Sequence, residues 1–503
     1  MTVVPEAAVG YGASAAAGLA AVWGKVAGVV GADRVTCPGA ETSGVPMSPL
    51  GPNAGLFRSR AVPGVVRPRS AEETRRVVEL FAGAGGPAGL HAFSTGCNWG
   101  LGSREPARDG AVVLDLSGLN QVRDIDVAQG WAVVEAGVTQ ASLARLLEGS
   151  ERMLNVTASS AHTSVVGNAL DRGVGLRHQR VEDLTGLEVV LPDGELIRVG
   201  WWPEPGRPTP VYPHGLGPSL VQLFVQSDLG VVTAATVRLL PRPEALRVVR
   251  LNFTPDRVEP AAAVIRRWVS QGLARGVVKI YNAAAARAYG GAPGQYLAHV
   301  CVDGTREAVE ALTGIVVDEA VSCGLFTAVS DTDAVDPGAD NHDVAVRVER
   351  AYAGDPDPAD VLFEAKTGRP AGRLDAEGGF LFFLPLVPFT GAALGRADEL
   401  IEQVRAESGV RCGVTFHALS ADVVDCVVTM RFARDDEEAA RAHRALDRLY
   451  ELFTAEGFIP YRLDVEHTEW AGRLAAGTGA RAFARRLKDA VDPHHVIAAG
   501  RYA

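Results

Sequence analysis

Residues 94 to 103 read STGCNWGLGS, a glycine-studded turn that follows an apolar run at Leu90 to Phe93 and precedes another at Ala111 to Leu116. Gly96, Gly100 and Gly102 free the backbone to take positive φ, so several N–H groups can converge on one point. A chain with no lysine or arginine cluster at hand holds a phosphate in this way. The spacing is neither GxGxxG nor GxxxxGK[ST], which excludes two common phosphate motifs at this position. Alone, the stretch suits a plain turn between two strands equally well.

The rest of the chain narrows the choice. A length of 503 residues allows two or three domains with large cores. A net charge of -11 disfavours nucleic acid and anionic membranes, both of which select basic faces, and leaves small molecules as the expected partners. Cys37, Cys97, Cys301, Cys323, Cys412 and Cys426 lie far apart without a CxxC pair, so no zinc site or disulfide framework is expected and a reducing cytoplasm suits them. No Lys or Arg precedes Lys25, which argues against a signal peptide, and no uninterrupted apolar stretch is long enough for a membrane span. A cytoplasmic location is the expectation.

Apolar spacing predicts a helix over Ser14 to Val30, an arm or lid, followed by a Pro/Gly/Ser-rich wrapping loop over 37 to 60. Ser70 with Glu73 marks a capping box for a helix whose core face is Val77, Val78, Leu80 and Phe81. A hairpin turns at Gln129-Gly130, Thr139 caps a short helix, and Pro192-Asp193-Gly194 joins two strands. A helix over Leu220 to Gln226 and a strand over Val231 to Leu240 precede Pro241 and Pro243, which close this part. Beyond Pro243 strand, helix and strand recur, predicting a separate antiparallel sheet backed by helices. The Asp-rich stretch at 331 to 345 and the Pro/Asp-rich stretch at 353 to 360 read as surface loops, without EF-hand spacing. The expected organisation is 1–60 for the N-terminal helix and loop, 61–243 and 244–456 for two domains, and 457–503 for a returning C-terminal segment.

Taken together, STGCNWGLGS, VVLDLSGLNQV, WAVVEAGVT, VVGNALDRGVG, EVVLPDGELIRVG, YPHGLGPSLVQLFVQSDLGVVT, YRLDVEH and DAVDPHHVIAAGR resemble the vanillyl-alcohol oxidase and p-cresol methylhydroxylase family of FAD-dependent oxidoreductases. The segments are collinear from Val65 onward. The resemblance implies an α+β fold: a two-subdomain FAD-binding domain of the p-cresol methylhydroxylase type plus an antiparallel-sheet cap domain. It places Thr95, Gly96, Cys97, Asn98 and Gly100 at the FAD pyrophosphate, Gly167, Asn168, Gly173, Ser227, Gly230 and Val231 beside the flavin and adenosine, and Arg501 opposite them.

Tyr461 and Arg462 match the family's pair that holds a phenolate near the C-terminus. Leu101 stands where a loop tyrosine is found in para-alkylphenol oxidisers, touching cofactor and substrate. The family's acidic residue ahead of VVGN has no counterpart in NVTASSAHTS, leaving His162 as candidate base or flavin neighbour, and His467 is a candidate substrate contact. Asn98 replaces the loop histidine that attaches flavin elsewhere, and Asp422, Asp425 and Cys426 occupy the cap strand, so FAD held non-covalently is expected. No metal site is expected, since His494-His495 lacks a third ligand. The implied activity is hydride transfer from a phenolic or related aromatic molecule to flavin N5, as a tailoring step in secondary metabolism. Dioxygen or another electron acceptor, and a homodimer, complete the expected partners. The alternatives are oxidation of a hydroxyacid, sugar alcohol or amine with Arg462 on a carboxylate, and a flavin-binding subunit without catalysis.

Overall fold

The computed structural model describes residues 13–37, 49–102, 104–332 and 344–502, with the backbone alone over 13–17. Ser103 and residues 38–48 and 333–343, the last taking in most of the Asp-rich stretch, lie outside the described residues. The chain is α+β, with helices set against three main sheets.

Local chemistry starts the first layer. The Ser70 hydroxyl accepts from Glu73 N at 3.1 Å and begins the helix Ala71–Gly83, while the Glu73 carboxylate turns to Arg69 N and to Arg34, each at 2.7 Å. Val77, Val78 and Phe81 face inward against Leu19, Val22, Val26 and Val30 of the helix Ala13–Val30. The N-terminal helix is thus packed into a core rather than standing off as an arm, because its apolar stripe meets another at the same spacing. Beneath lies a sheet in the order Val35–Thr36, Val65–Val66, Val112–Asp115, Leu90–Phe93, the last three parallel. The C-terminal tail extends its edge: Ile497 bridges Leu90 in parallel, and Ala498 N donates to Leu90 O at 2.9 Å.

A second, antiparallel sheet runs Val122–Asp126, Trp131–Glu135, Val231–Arg238, Leu184–Val190, Leu196–Gly200. Among the described residues, every strand from Ala245 onward joins one eight-stranded antiparallel sheet, whose central neighbours are Lys279–Tyr281, Cys412–Ala418 and Val423–Phe432. One face of this sheet is covered by the helices Val258–Ser270, Gly391–Ser408 and Asp436–Ala455, through residues such as Trp268, Leu394 and Phe453. Strand alternation decides what the other face presents. Val424, Cys426 and Val428 point into the helix-backed core, so Asp425 and Val427 point the opposite way, toward the FAD-type half of the chain.

Two expectations change. The Pro/Asp-rich stretch at 353 to 360 is not all loop: Asp357–Thr367 is a helix with Pro358 in its first turn, where a missing N–H costs nothing. Leu220 to Gln226 is a 3₁₀ turn over Leu220–Phe224 that ends at Gln226 with φ 51°. Among the described residues, no helix is long and apolar enough to cross a membrane.

Candidate active site

A cavity of about 730 Å³ opens between the three sheets, with Phe93, Val232 and Asp425 marking a strand from each. Its size is in the range of cofactor sites. Thr95, Gly96, Cys97, Asn98, Gly167, Asn168, Ser227, Gly230, Val231, Tyr461, Arg462 and Arg501 all line it.

The glycine turn supplies donors. Gly96 sits at φ 67°, and the amides of Thr95, Gly96 and Cys97 donate to no acceptor among the described residues. Thr95 Oγ1 accepts from Ser164 N at 3.1 Å, and Ser164 Oγ in turn accepts from Gly167 N at 2.8 Å, which ties the turn to the start of the helix Val165–Leu170. On the same wall the side-chain oxygen of Asn168 is buried without a donor. Successive uncommitted amides around a left-handed glycine attract an anion, so this wall fits the diphosphate of FAD.

Two of the turn and loop glycines act behind the wall. A Cβ on Gly100 would lie 2.5 Å from the Phe382 ring, and one on Gly173 would lie 2.2 Å from Asn168 Oδ1. Gly100 therefore lets the turn rest on Phe382, and Gly173 makes room for Asn168. Leu101 is also behind the wall, packed with Leu384 and Val427.

Asp171 gathers the polar groups at the centre. Its carboxylate accepts from Arg462 Nε at 3.1 Å, more closely from Arg462 Nη2, from Asn98 Nδ2 at 3.0 Å and from the Tyr502 hydroxyl at 2.7 Å. Arg501 Nη2 stands at 3.5 Å. Burial pushes this carboxyl up, but Arg462 and Arg501 outweigh it and hold it below the ordinary aspartate range. Arg462 keeps Nη1 uncommitted among the described residues.

Next to it, the Tyr461 hydroxyl donates to Asp425 Oδ2 at 3.1 Å, and His417 Nδ1 lies 3.5 Å from the same oxygen. Asp425 Oδ1 is buried without a donor. Burial draws His417 down to about 4 against the pull of Asp425, leaving a neutral imidazole. Burial, with Asp425 adding to it, pushes the Tyr461 phenol well above its usual value. Phe363, Phe382, Leu384 and Val427 make the surrounding wall apolar, and Lys366 is the cation set among them.

The structure does not bring His162 or His467 to the cavity. His162 is exposed, since its loop turns only the carbonyl toward Cys97. His467 is clamped between Asp464 at 2.7 Å and Asp447 at 3.0 Å and stacks on Tyr450 at 4.0 Å. Sequence reasoning passed over Asp171, Lys366 and His417. Asp171 sits inside the quoted VVGNALDRGVG, but its arginine and tyrosine partners are hundreds of residues away, and Lys366 lies on a helix whose start, up to residue 360, reads as loop.

A model of an FAD binding domain matches residues 62–200. The chain is 29% identical to the 1'-carboxy-chondrochloren decarboxylase of Chondromyces crocatus, over 89% of this chain and 92% of that protein. It is 27% identical to the 4-cresol dehydrogenase [hydroxylating] flavoprotein subunit of Pseudomonas putida, over 82% of each. The crystal structure of p-cresol methylhydroxylase with substrate bound superposes with a TM-score of 0.83 at 22% identity, over 97% of both chains. The antiparallel sheet beyond Ala245 therefore belongs to the same fold as the FAD-binding part. The chain resembles the vanillyl-alcohol oxidase and p-cresol methylhydroxylase family of FAD-dependent oxidoreductases: it carries an FAD binding domain over residues 62–200 and shares the fold of p-cresol methylhydroxylase.

Proposed function

We propose that the protein oxidises a phenolic or related aromatic small molecule, in a tailoring step of secondary metabolism, with FAD held non-covalently. The observation that carries this reading is the Tyr461 hydroxyl bound to Asp425 inside a chamber walled by Phe363, Phe382, Leu384 and Val427. FAD, when bound, supplies the hydride acceptor. The amides of Thr95, Gly96 and Cys97 would hold its diphosphate, Gly167, Asn168, Ser227, Gly230 and Val231 its flanks, and Arg501 the side opposite.

Because the Tyr461 proton is directed at Asp425, the phenolic oxygen is left to accept. A substrate hydroxyl donating to Tyr461 Oη passes its proton there as the Tyr461 proton moves to Asp425 Oδ2. The substrate oxygen becomes a phenolate, stabilised by Arg462 Nη1, and its charge pushes electrons toward the para carbon from which hydride departs. The apolar wall excludes water and strengthens each of these interactions. Oxidation of a hydroxyacid with Arg462 on the carboxylate is less well supported, since Asp171 already occupies two of the guanidinium nitrogens.

Asn98 offers no nucleophile for a flavin link, and Cys426 faces the helix-backed core with its thiol pushed well up by burial. Anaerobic mixing with para-alkylphenols tests the activity: bleaching of the flavin band is expected, and Tyr461→Phe should slow it strongly. A phenol that binds but never bleaches the flavin, while a hydroxyacid does, would replace this reading with the rival.

A further inference from the structure

The aromatic-walled chamber contains a cation that nothing among the described residues answers. Lys366 stands in the last turn of the helix Asp357–Thr367 and lines the cavity. Its ammonium has no hydrogen-bond or ion-pair partner among the described residues and rests over the Phe382 ring, 4.8 Å from the centroid. Asp425 is the acid nearest in effect, but Tyr461 and His417 occupy it and no ion pair with Lys366 forms. A methionine or leucine would fill the same space without a desolvation cost. A partly buried ammonium against apolar neighbours is retained at a loss unless a ligand brings the counter-charge.

We propose that Lys366 anchors a carboxylate on the substrate, so that the substrate class is a phenol carrying a carboxylate on its side chain. The proposal rests on the phenolic reading above. With Tyr461 and Asp425 at the hydroxyl and Lys366 at the carboxylate, the two polar ends fix the molecule's direction in the chamber and hence which carbon faces the hydride acceptor. An ammonium on a flexible stem suits this task, because it can follow side chains of different length.

The titratable groups facing Lys366 are Asp425, His417 and the buried Lys279. Burial draws Lys366 itself down to about 8 against the pull of Asp425, so carboxylate binding should weaken as pH rises through that value.

The test titrates the FAD-loaded protein with 3-(4-hydroxyphenyl)propanoate, its methyl ester and 4-propylphenol, following the flavin band. The acid should bind about tenfold more tightly than the ester near neutral pH, the size of one charged hydrogen bond. Lys366→Met should erase that preference while leaving ester affinity unchanged, and Lys366→Arg should restore part of it. An ester that binds as well as the acid, or a preference that survives in Lys366→Met, overturns the carboxylate site and leaves the phenolic reading standing. If neither the ester nor 4-propylphenol perturbs the flavin, the phenolic reading falls, and this one with it.

Discussion

Asp425 has two oxygens in unlike situations: Oδ2 accepts from Tyr461, and Oδ1 is buried without a donor. An amide in its place keeps the shape but cannot take the Tyr461 proton. Asp425→Asn should therefore slow flavin reduction by a phenol roughly 10²- to 10⁴-fold, the usual worth of a positioned base, with little change in phenol affinity. Stopped-flow reduction separates the two, and an unchanged rate would remove Asp425 from the proton path. Lys279 poses a different problem, since it is buried in the strand Lys279–Tyr281 and burial, aided by Lys366, draws it down to about 7. A base whose folded value lies below its unfolded value penalises folding once pH drops below the unfolded value, and the penalty levels off below the folded one. Lys279→Met should thus raise stability by roughly 1 to 3 kcal/mol near neutral pH. The gain should shrink toward about pH 10, where the unfolded lysine also loses its proton. Melting curves of both proteins across that range check the sign.

At the scale of elements, the C-terminal tail is fastened by one carboxylate. Asp492 Oδ1 accepts from Val496 N at 2.8 Å, and Oδ2 accepts from Ile497 N at 2.9 Å and Lys488 Nζ at 2.7 Å. Lys488 also donates to Asp228 O at 2.7 Å, joining the helix Ala480–Val491 to the Ser227 loop. Asp492→Ala leaves a largely buried ammonium with two carbonyls and only the more distant Asp228 carboxylate, at 3.8 Å, and frees the strand-like turn that leads to Arg501 and Tyr502. A loss of about 3 to 5 kcal/mol is expected, with faster FAD release followed by flavin fluorescence. Elements closed by local chemistry were legible in the sequence: the Ser70 cap, the hairpin at Gln129-Gly130 and the Thr139 cap depend on near neighbours. The helix Asp357–Thr367 was not, because prolines and aspartates are read as loop formers when their place in a first turn is unknown. Lys366 was missed along with it. Pairings such as Asp171 with Arg462 are written in two distant segments, so a sequence offers each residue but not the meeting. His162 and His467 failed in the converse way: nearness in the chain to site segments says nothing of the side on which a ring emerges.

At the scale of the whole molecule, the cavity is walled by strands from all three sheets, so whatever fills it bridges parts that otherwise meet around a void of about 730 Å³. On the proposed non-covalent reading, with no nucleophile at Asn98 and Cys426 turned into the core, binding free energy keeps FAD in place. A ligand that binds only the folded state stabilises it by RT ln(1 + [L]/Kd), about 4 kcal/mol at a thousandfold excess over Kd. Acid precipitation should therefore release a yellow supernatant, and protein stripped of flavin should melt at a lower temperature that climbs with each increment of FAD added back. The climb is the decisive part, because a covalent flavin gives one melting temperature whatever the free FAD. A fluorescent pellet with a fixed melting temperature would overturn non-covalent binding and direct attention to Cys97, the thiol that does line the cavity. A supernatant coloured by FAD with only part of the melting transition moving with FAD would instead mean that the cofactor sits on one sheet layer only, leaving the large sheet to unfold on its own.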